Sequence, residues 1–339
     1  MSRNLDAEPM TDIQSDTWGR QSVWINVALA LLFVLAALPI RLRALDVFVT
    51  PDEMKWVCRS VNFYRGLRAG NLDETRQTGH PGVITMWLGV PWIGVDPTED
   101  WLKICRNPSM ADIIESTSPQ TPARLAHLLF RGRRGVAVLT SLAIGFAFLL
   151  LVRLFDRCVA LLASTLLLCD PFYLAHSRLL HLDAIITSLL FLSILSLAVA
   201  VKGGDRRFMM IGGVLAWLAS LNTSPAMFAL PFGVLIIGLD WLTRPERRMG
   251  RLVRDGLVWC LSAAFVYFLG WPAMWVQPAE TLRMVFGTAL FYASSPHTNS
   301  NFFWGVPRPN PGWAFYPVAL AFRLTPRKVH VIRCDRYGH

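Results

Sequence analysis

Seven long apolar stretches separated by polar connections leave this chain few folds to choose from. The first occupies residues 22–40, and the others lie at roughly 135–155, 158–176, 180–201, 208–222, 226–242 and 256–275. A helix needs about 20 predominantly apolar residues to cross a bilayer. Backbone amides surrounded by lipid must bond within their own segment, so the runs predict α-helices. The fold class is therefore an all-α polytopic membrane protein of about seven spans. The first run is too long for a signal-peptide core, and no small-residue cleavage site follows it. The fifth is short and stops at Asn222-Thr223-Ser224-Pro225. Several connections are tight, which makes neighbouring helices antiparallel hairpins.

Composition agrees with membrane residence. Hydrophobic residues make up 53% and charged ones 17%, where a soluble domain carries about 25% charged. The mean hydropathy is +0.40. The net charge of +10 does not imply a nucleic-acid partner, because much of it sits in short clusters between apolar runs. Arg153 with Arg157, then Lys202 with Arg206 and Arg207, then Arg244, Arg247, Arg248, Arg251 and Arg254 fall on alternate connections. Placing all three clusters in the cytoplasm puts the N-terminus there and the long loop 41–134 outside. Arg131, Arg133 and Arg134 then stand outside, against the rule, which constrains loops of more than about 60 residues only weakly. The chain divides into a polar tail over 1–21, a membrane core over 22–275 containing the loop 41–134, and an extracytoplasmic segment over 276–339. The run 84–95 is short for a span and contains Pro91, so it lies at the interface or re-enters slightly. Residues 107–124 are rich in Pro, Ser and Thr and predict a loop. The six cysteines (58, 105, 158, 169, 260 and 334) show no CxxC pair and no regular spacing. They predict small hydrophobes, with no zinc site and no disulfide scaffold.

Two acidic patches stand out. Residues 41–81 begin at the membrane surface and present Asp52 and Glu53, then Arg59, Arg65, Arg68, Arg76 and His80 among Trp56, Phe63 and Tyr64. Such a set could deprotonate a hydroxyl and hold an anionic, partly greasy substrate; it could equally be a juxtamembrane helix with a solvated charged face. The second patch is DPFYLAHSRLLHLDAIIT at 170–187, where Asp170, His176, Arg178, His181 and Asp183 crowd an outer hairpin. Asp183 is followed at once by Ala-Ile-Ile, and ionisable groups at that depth mark function by default. Alternatively Asp183 pairs with Arg178 or His181 and fixes the hairpin. No further ligands at suitable spacing accompany His181 and Asp183, so no metal site is expected.

With these residues in view, the sequence resembles the lipid-linked glycosyltransferases of the C-type fold, closest to the protein O-mannosyltransferase and aminoarabinose-transferase superfamily (glycosyltransferase family 39-like). The matching stretches are Pro51-Asp52-Glu53, Gly79-His80-Pro81-Gly82, SRLLHLDAIIT at 177–187, NTSPAMFALPF at 222–232, WPAMWVQPAETL at 271–282 and PGWAFYPVALAFRLTP at 311–326. The resemblance implies the N-terminal transmembrane core of that fold and inverting transfer of a sugar from a polyprenyl- or dolichyl-phosphate carrier. The acceptor would be a hydroxyl on a protein or lipid, and the site would face outside, in a bacterial plasma membrane. By position it implies Asp52 as general base, Glu53 as its partner carboxylate and Asp183 as the second-loop acid. His80 stands where a relative has a lysine near the lipid phosphate, and Arg178 lies in the motif that flanks Asp183. A departing phosphate needs positive charge, which makes Arg178, Arg59, Arg65 and His80 candidate substrate-binding groups, with His181 beside them; no cofactor and no metal are expected.

Two departures accompany the resemblance. Many relatives carry a lysine in the element that here reads Asn222-Thr223-Ser224-Pro225. Relatives also continue into further spans after the stretch ending at Pro326, where this chain has a charged tail. Both motivate a rival expectation, an inactive remnant or a carrier-lipid-binding protein that does not catalyse transfer.

Overall fold

The computed structural model describes residues 13–47, 49–50, 52–106, 120–294, 301–308 and 310–323. The expected charged C-terminal tail and most of the predicted 107–124 loop lie outside these residues.

Helices form where the apolar runs predict them, but their lengths are uneven. The first span belongs to α1 (Ile13–Leu42). The long loop after it holds α2 (Glu53–Ala69) and α3 (Val83–Ile93). Then α4 (Gln120–Leu154) runs unbroken for 35 residues, so the end of the polar loop and the expected second span are one helix. It is followed by α5 (Arg157–Leu168), α6 (Pro171–His176), α7 (Asp183–Gly203) and α8 (Arg206–Ser220). Next come α9 (Ala229–Thr243) and α10 (Met249–Gly270). Beyond them lie α11 (Ala273–Val276), α12 (Pro278–Ser294) and α13 (Phe315–Arg323), and a small hairpin pairs β1 (Asn301–Phe303) with β2 (Val306–Arg308).

Among the described residues five helices, against the seven spans expected, are long and apolar enough to cross a membrane: Val23–Leu42, Ala123–Leu154, Asp183–Gly203, Ser224–Thr243 and Met249–Gly270. They make this an all-α, multi-pass integral membrane protein. The runs 158–176 and 208–222 fall short because polar punctuation cuts them. Asp170 caps the start of α6, its carboxylate accepting from the Tyr173 amide at 2.7 Å, and Pro171 cannot continue α5. The Asn222–Pro225 element likewise ends α8. What remains, 12 and 15 residues, rises about 18 and 22 Å, against a hydrocarbon core of about 30 Å.

Contacts at the helix ends nevertheless sort the bundle into two faces. On one, Arg178 donates to the carbonyls of Arg43 and Ala44, Leu180 N–H donates to Glu53, and Gly82 N–H donates to the Asn222 carbonyl. Trp87 joins them, its indole N–H on the Gly270 carbonyl. On the other face, Lys202 donates to the Leu154 carbonyl, Arg157 to Asn26, and Arg244 to the Val201 carbonyl. Each of α4, α7 and α8 thus runs from one face to the other, as does α5 with α6. The three basic clusters share the second face.

One expectation about the loop is overturned. Cys58 and Cys105 are joined by a disulfide that closes 47 residues of separation, tying α2 to the short 3-10 segment Asp100–Arg106. The spacing of the cysteines hid this pair because both are fully buried in a loop domain that brings distant residues together. In the chain-entropy account, closing such a loop stabilises the fold by about 4 kcal/mol.

Candidate active site

The site is assembled where α1 ends, α2 begins and the 177–182 connection turns into α7. Asp52 and Glu53 are adjacent in sequence but occupy opposite environments. The Glu53 carboxylate is fully buried and receives five donors. Arg133 of α4 grips it through Nε at 2.8 Å and Nη2 at 2.5 Å. The Leu180 amide donates at 2.8 Å, and Thr50 donates through its amide at 2.9 Å and its hydroxyl at 3.1 Å. A carboxylate offers roughly four lone-pair positions, so Glu53 has none left to take a proton from a substrate. Arg133 also donates to the Leu45 carbonyl. Glu53 therefore ties the first loop to α4 and to the hairpin that carries Asp183.

Asp52 points the other way. It stands at the N-cap position of α2 without capping it, with 59% of its side chain exposed and Lys55 Nζ at 3.2 Å. Asp183 opens α7 and is 56% exposed, with His181 Nδ1 at 3.2 Å and His176 Nδ1 at 3.7 Å from its Oδ2. Burial alone would lower the pKa of His181, but the Asp183 carboxylate and the charges of Asp52 and Glu53 together lift it above the ordinary histidine value. One imidazole thus senses all three carboxylates that the sequence singles out. Beside it lies a cavity of about 630 Å³ lined by Asp170, Phe172, Tyr173, His176, Asp183 and neighbouring apolar side chains.

The expected phosphate-binding cations are largely occupied elsewhere. Arg178 caps the end of α1, as described. Arg65 donates to the Pro97 carbonyl at 2.9 Å and to Asn62 at 2.6 Å. Arg59 stacks on the Trp56 ring with its guanidinium carbon 4.5 Å from the centroid. His80 is half-buried, and burial together with the Arg59 charge holds its imidazole below the usual histidine value. The Gly79–Gly82 turn packs tightly. Gly82 has φ +60°, and a Cβ there would meet the Trp56 ring at 2.0 Å. A Cβ on Gly79 would meet Thr288 Oγ1 at 1.8 Å.

Asn222 has a role that its motif alone did not reveal. Its Oδ1 accepts from the Thr85 amide at 3.1 Å and the Thr85 hydroxyl at 2.8 Å, while Nδ2 donates to the Leu182 carbonyl at 3.2 Å. It pins α3 to the residue before Asp183. Among the described residues no group of three or more His, Cys, Asp or Glu side chains is placed to hold a metal.

Residues 126–275 match the family model of dolichyl-phosphate-mannose-protein mannosyltransferase. The matched segment contains Arg133, the whole 170–187 hairpin, Asn222 and Trp271. It covers less than half of the chain and leaves out Asp52, Glu53 and His80. No curated protein matches the chain.

Proposed function

We propose that this protein transfers a sugar, with inversion, from a polyprenyl- or dolichyl-phosphate carrier to a hydroxyl on a protein or lipid acceptor. The observation that carries the proposal is exposed Asp183, 3.2 Å from His181 and on the wall of a large cavity, with the charge of exposed Asp52 acting on the same imidazole. The likeness to the mannosyltransferase family over residues 126–275 supports it. In the reaction, the acceptor oxygen bonds to the anomeric carbon as the carbon–oxygen bond to phosphate breaks. The acceptor proton passes to the Asp52 carboxylate, which must lie within about 2.6–3.2 Å of it, and the phosphate departs as an anion. Asp183 and His181 orient the reacting groups, and Glu53 is a positioning residue. The site faces outside. The three basic clusters on the opposite face support this orientation, as does the Cys58–Cys105 disulfide, since such bonds persist in oxidising compartments.

Purified protein supplied with a polyprenyl-phosphate-linked sugar and a hydroxyl acceptor should give a glycosylated product. Asp52→Asn should lower turnover by about 10²–10⁴ with little loss of carrier affinity. Near-full transfer by Asp52→Asn alongside abolition by Asp183→Asn would move the base to Asp183. A second reading, carrier binding without transfer, is favoured by Thr223 standing where relatives place a lysine. It predicts retained carrier binding and no product with any common donor.

A further inference from the structure

One buried charge in the bundle has no role in this scheme. Arg41, in the last turn of α1, has none of its surface exposed. None of its three guanidinium nitrogens has a hydrogen-bond partner among the described residues. Its guanidinium carbon lies 5.4 Å from the centroid of the Tyr173 ring, and that ring packs with Ala37 and Ile144. An arginine brings five N–H donors. Burying them with neither hydrogen bonds nor a carboxylate opposite is strongly unfavourable, and an aromatic face offsets only part of that cost.

Tyr173 touches both this cation and the cavity, since it lines the cavity together with Asp170, His176 and Asp183. The two acids would repel an anionic head group unless a cation joined them. Arg178, Arg65 and Arg133 are committed to carbonyls or to Glu53. We propose that Arg41 is the cation that receives the phosphate oxygens of a prenyl phosphate in this cavity, Tyr173 separating the two until its side chain turns. The inference rests on the carrier-phosphate reading of the site and adds a residue to it. Tyr173 is held in place by a 2.7 Å hydrogen bond between its hydroxyl and Ser188 Oγ and by the packing of its ring with Ala37 and Ile144, so the turn breaks that bond and gives up that packing.

The test uses the full chain in detergent, with farnesyl phosphate and farnesol as probes, and reads thermal midpoint and dissociation constant. Wild type should bind the phosphate more tightly than the alcohol. Arg41→Met should weaken farnesyl phosphate binding by about tenfold to a hundredfold, leave farnesol binding unchanged and raise the midpoint of the ligand-free protein, because an uncompensated charge is gone. A lowered midpoint with the phosphate preference intact would overturn the proposal and make Arg41 structural. Should Arg41→Met not fold, Arg41→Lys decides: weakened but persistent phosphate preference is expected, and unchanged affinity overturns it. If wild type itself fails to distinguish phosphate from alcohol, the carrier-phosphate reading falls and takes the Arg41 role with it. A preference that survives in Arg41→Met removes the Arg41 role alone.

Discussion

At the scale of single residues, the site turns on how differently neighbouring carboxylates are used. Glu53, enclosed by Arg133, Leu180 and Thr50, holds structure in place, while Asp52, one residue earlier, faces solvent. His181 makes the electrostatics measurable. Its folded pKa is raised because the gain from Asp183, Asp52 and Glu53 outweighs burial. Protonation therefore favours the folded state. That contribution is complete below the unfolded histidine value of about 6.5 and is lost as pH rises through the higher folded value. Thermal midpoints measured from about pH 5.5 to 8.5 should fall more steeply for wild type than for Asp183→Asn, which removes the nearest source of the shift. Parallel profiles would mean that Asp183 does not govern His181.

At the scale of elements, two tethers set where the acids stand. The first is Arg133–Glu53, joining α4 to the start of α2, and the second is Asn222, joining α3 to the start of α7. Removing one partner of a buried ion pair costs about 3–5 kcal/mol, whereas replacing both with apolar groups of similar size is often far milder. Arg133→Met alone should thus lower the midpoint sharply, and Glu53→Leu with Arg133→Met should recover much of the loss. Losses that simply add would show that the two side chains act independently. The sequence announced parts of this. Apolar runs located the helices, and Asp52, Asp183 and His181 were legible as ionisable groups in the two acidic patches. Arg133 was visible only as an outer arginine that broke the charge rule, and its reason is Glu53. The Cys58–Cys105 pair, the Asn222 tether and the burial of Arg41 were not legible, because each depends on residues brought together by tertiary packing. The same holds for the count of spans. A hydropathy run does not register that Asp170-Pro171 interrupts a helix that the residues on either side would continue.

At the scale of the whole molecule, the chain is a bundle with one face of basic clusters and one face of acids, loop helices and a disulfide. Reporter fusions after residue 118 should read extracytoplasmic, and those after residues 204 and 250 cytoplasmic; a cytoplasmic signal at 118 would invert the proposed orientation. The disulfide also bears on the order of assembly. Both of its cysteines precede α4 in the chain, so in the proposed orientation Cys58 and Cys105 can be oxidised while the later helices are still being synthesised. The loop would be locked in shape first, with Glu53 waiting for its partner, and the later helices would be threaded against a face already fixed. A cell line or cell-free system without an oxidising compartment would lose that sequence of events, and with it the template onto which the rest of the bundle is laid.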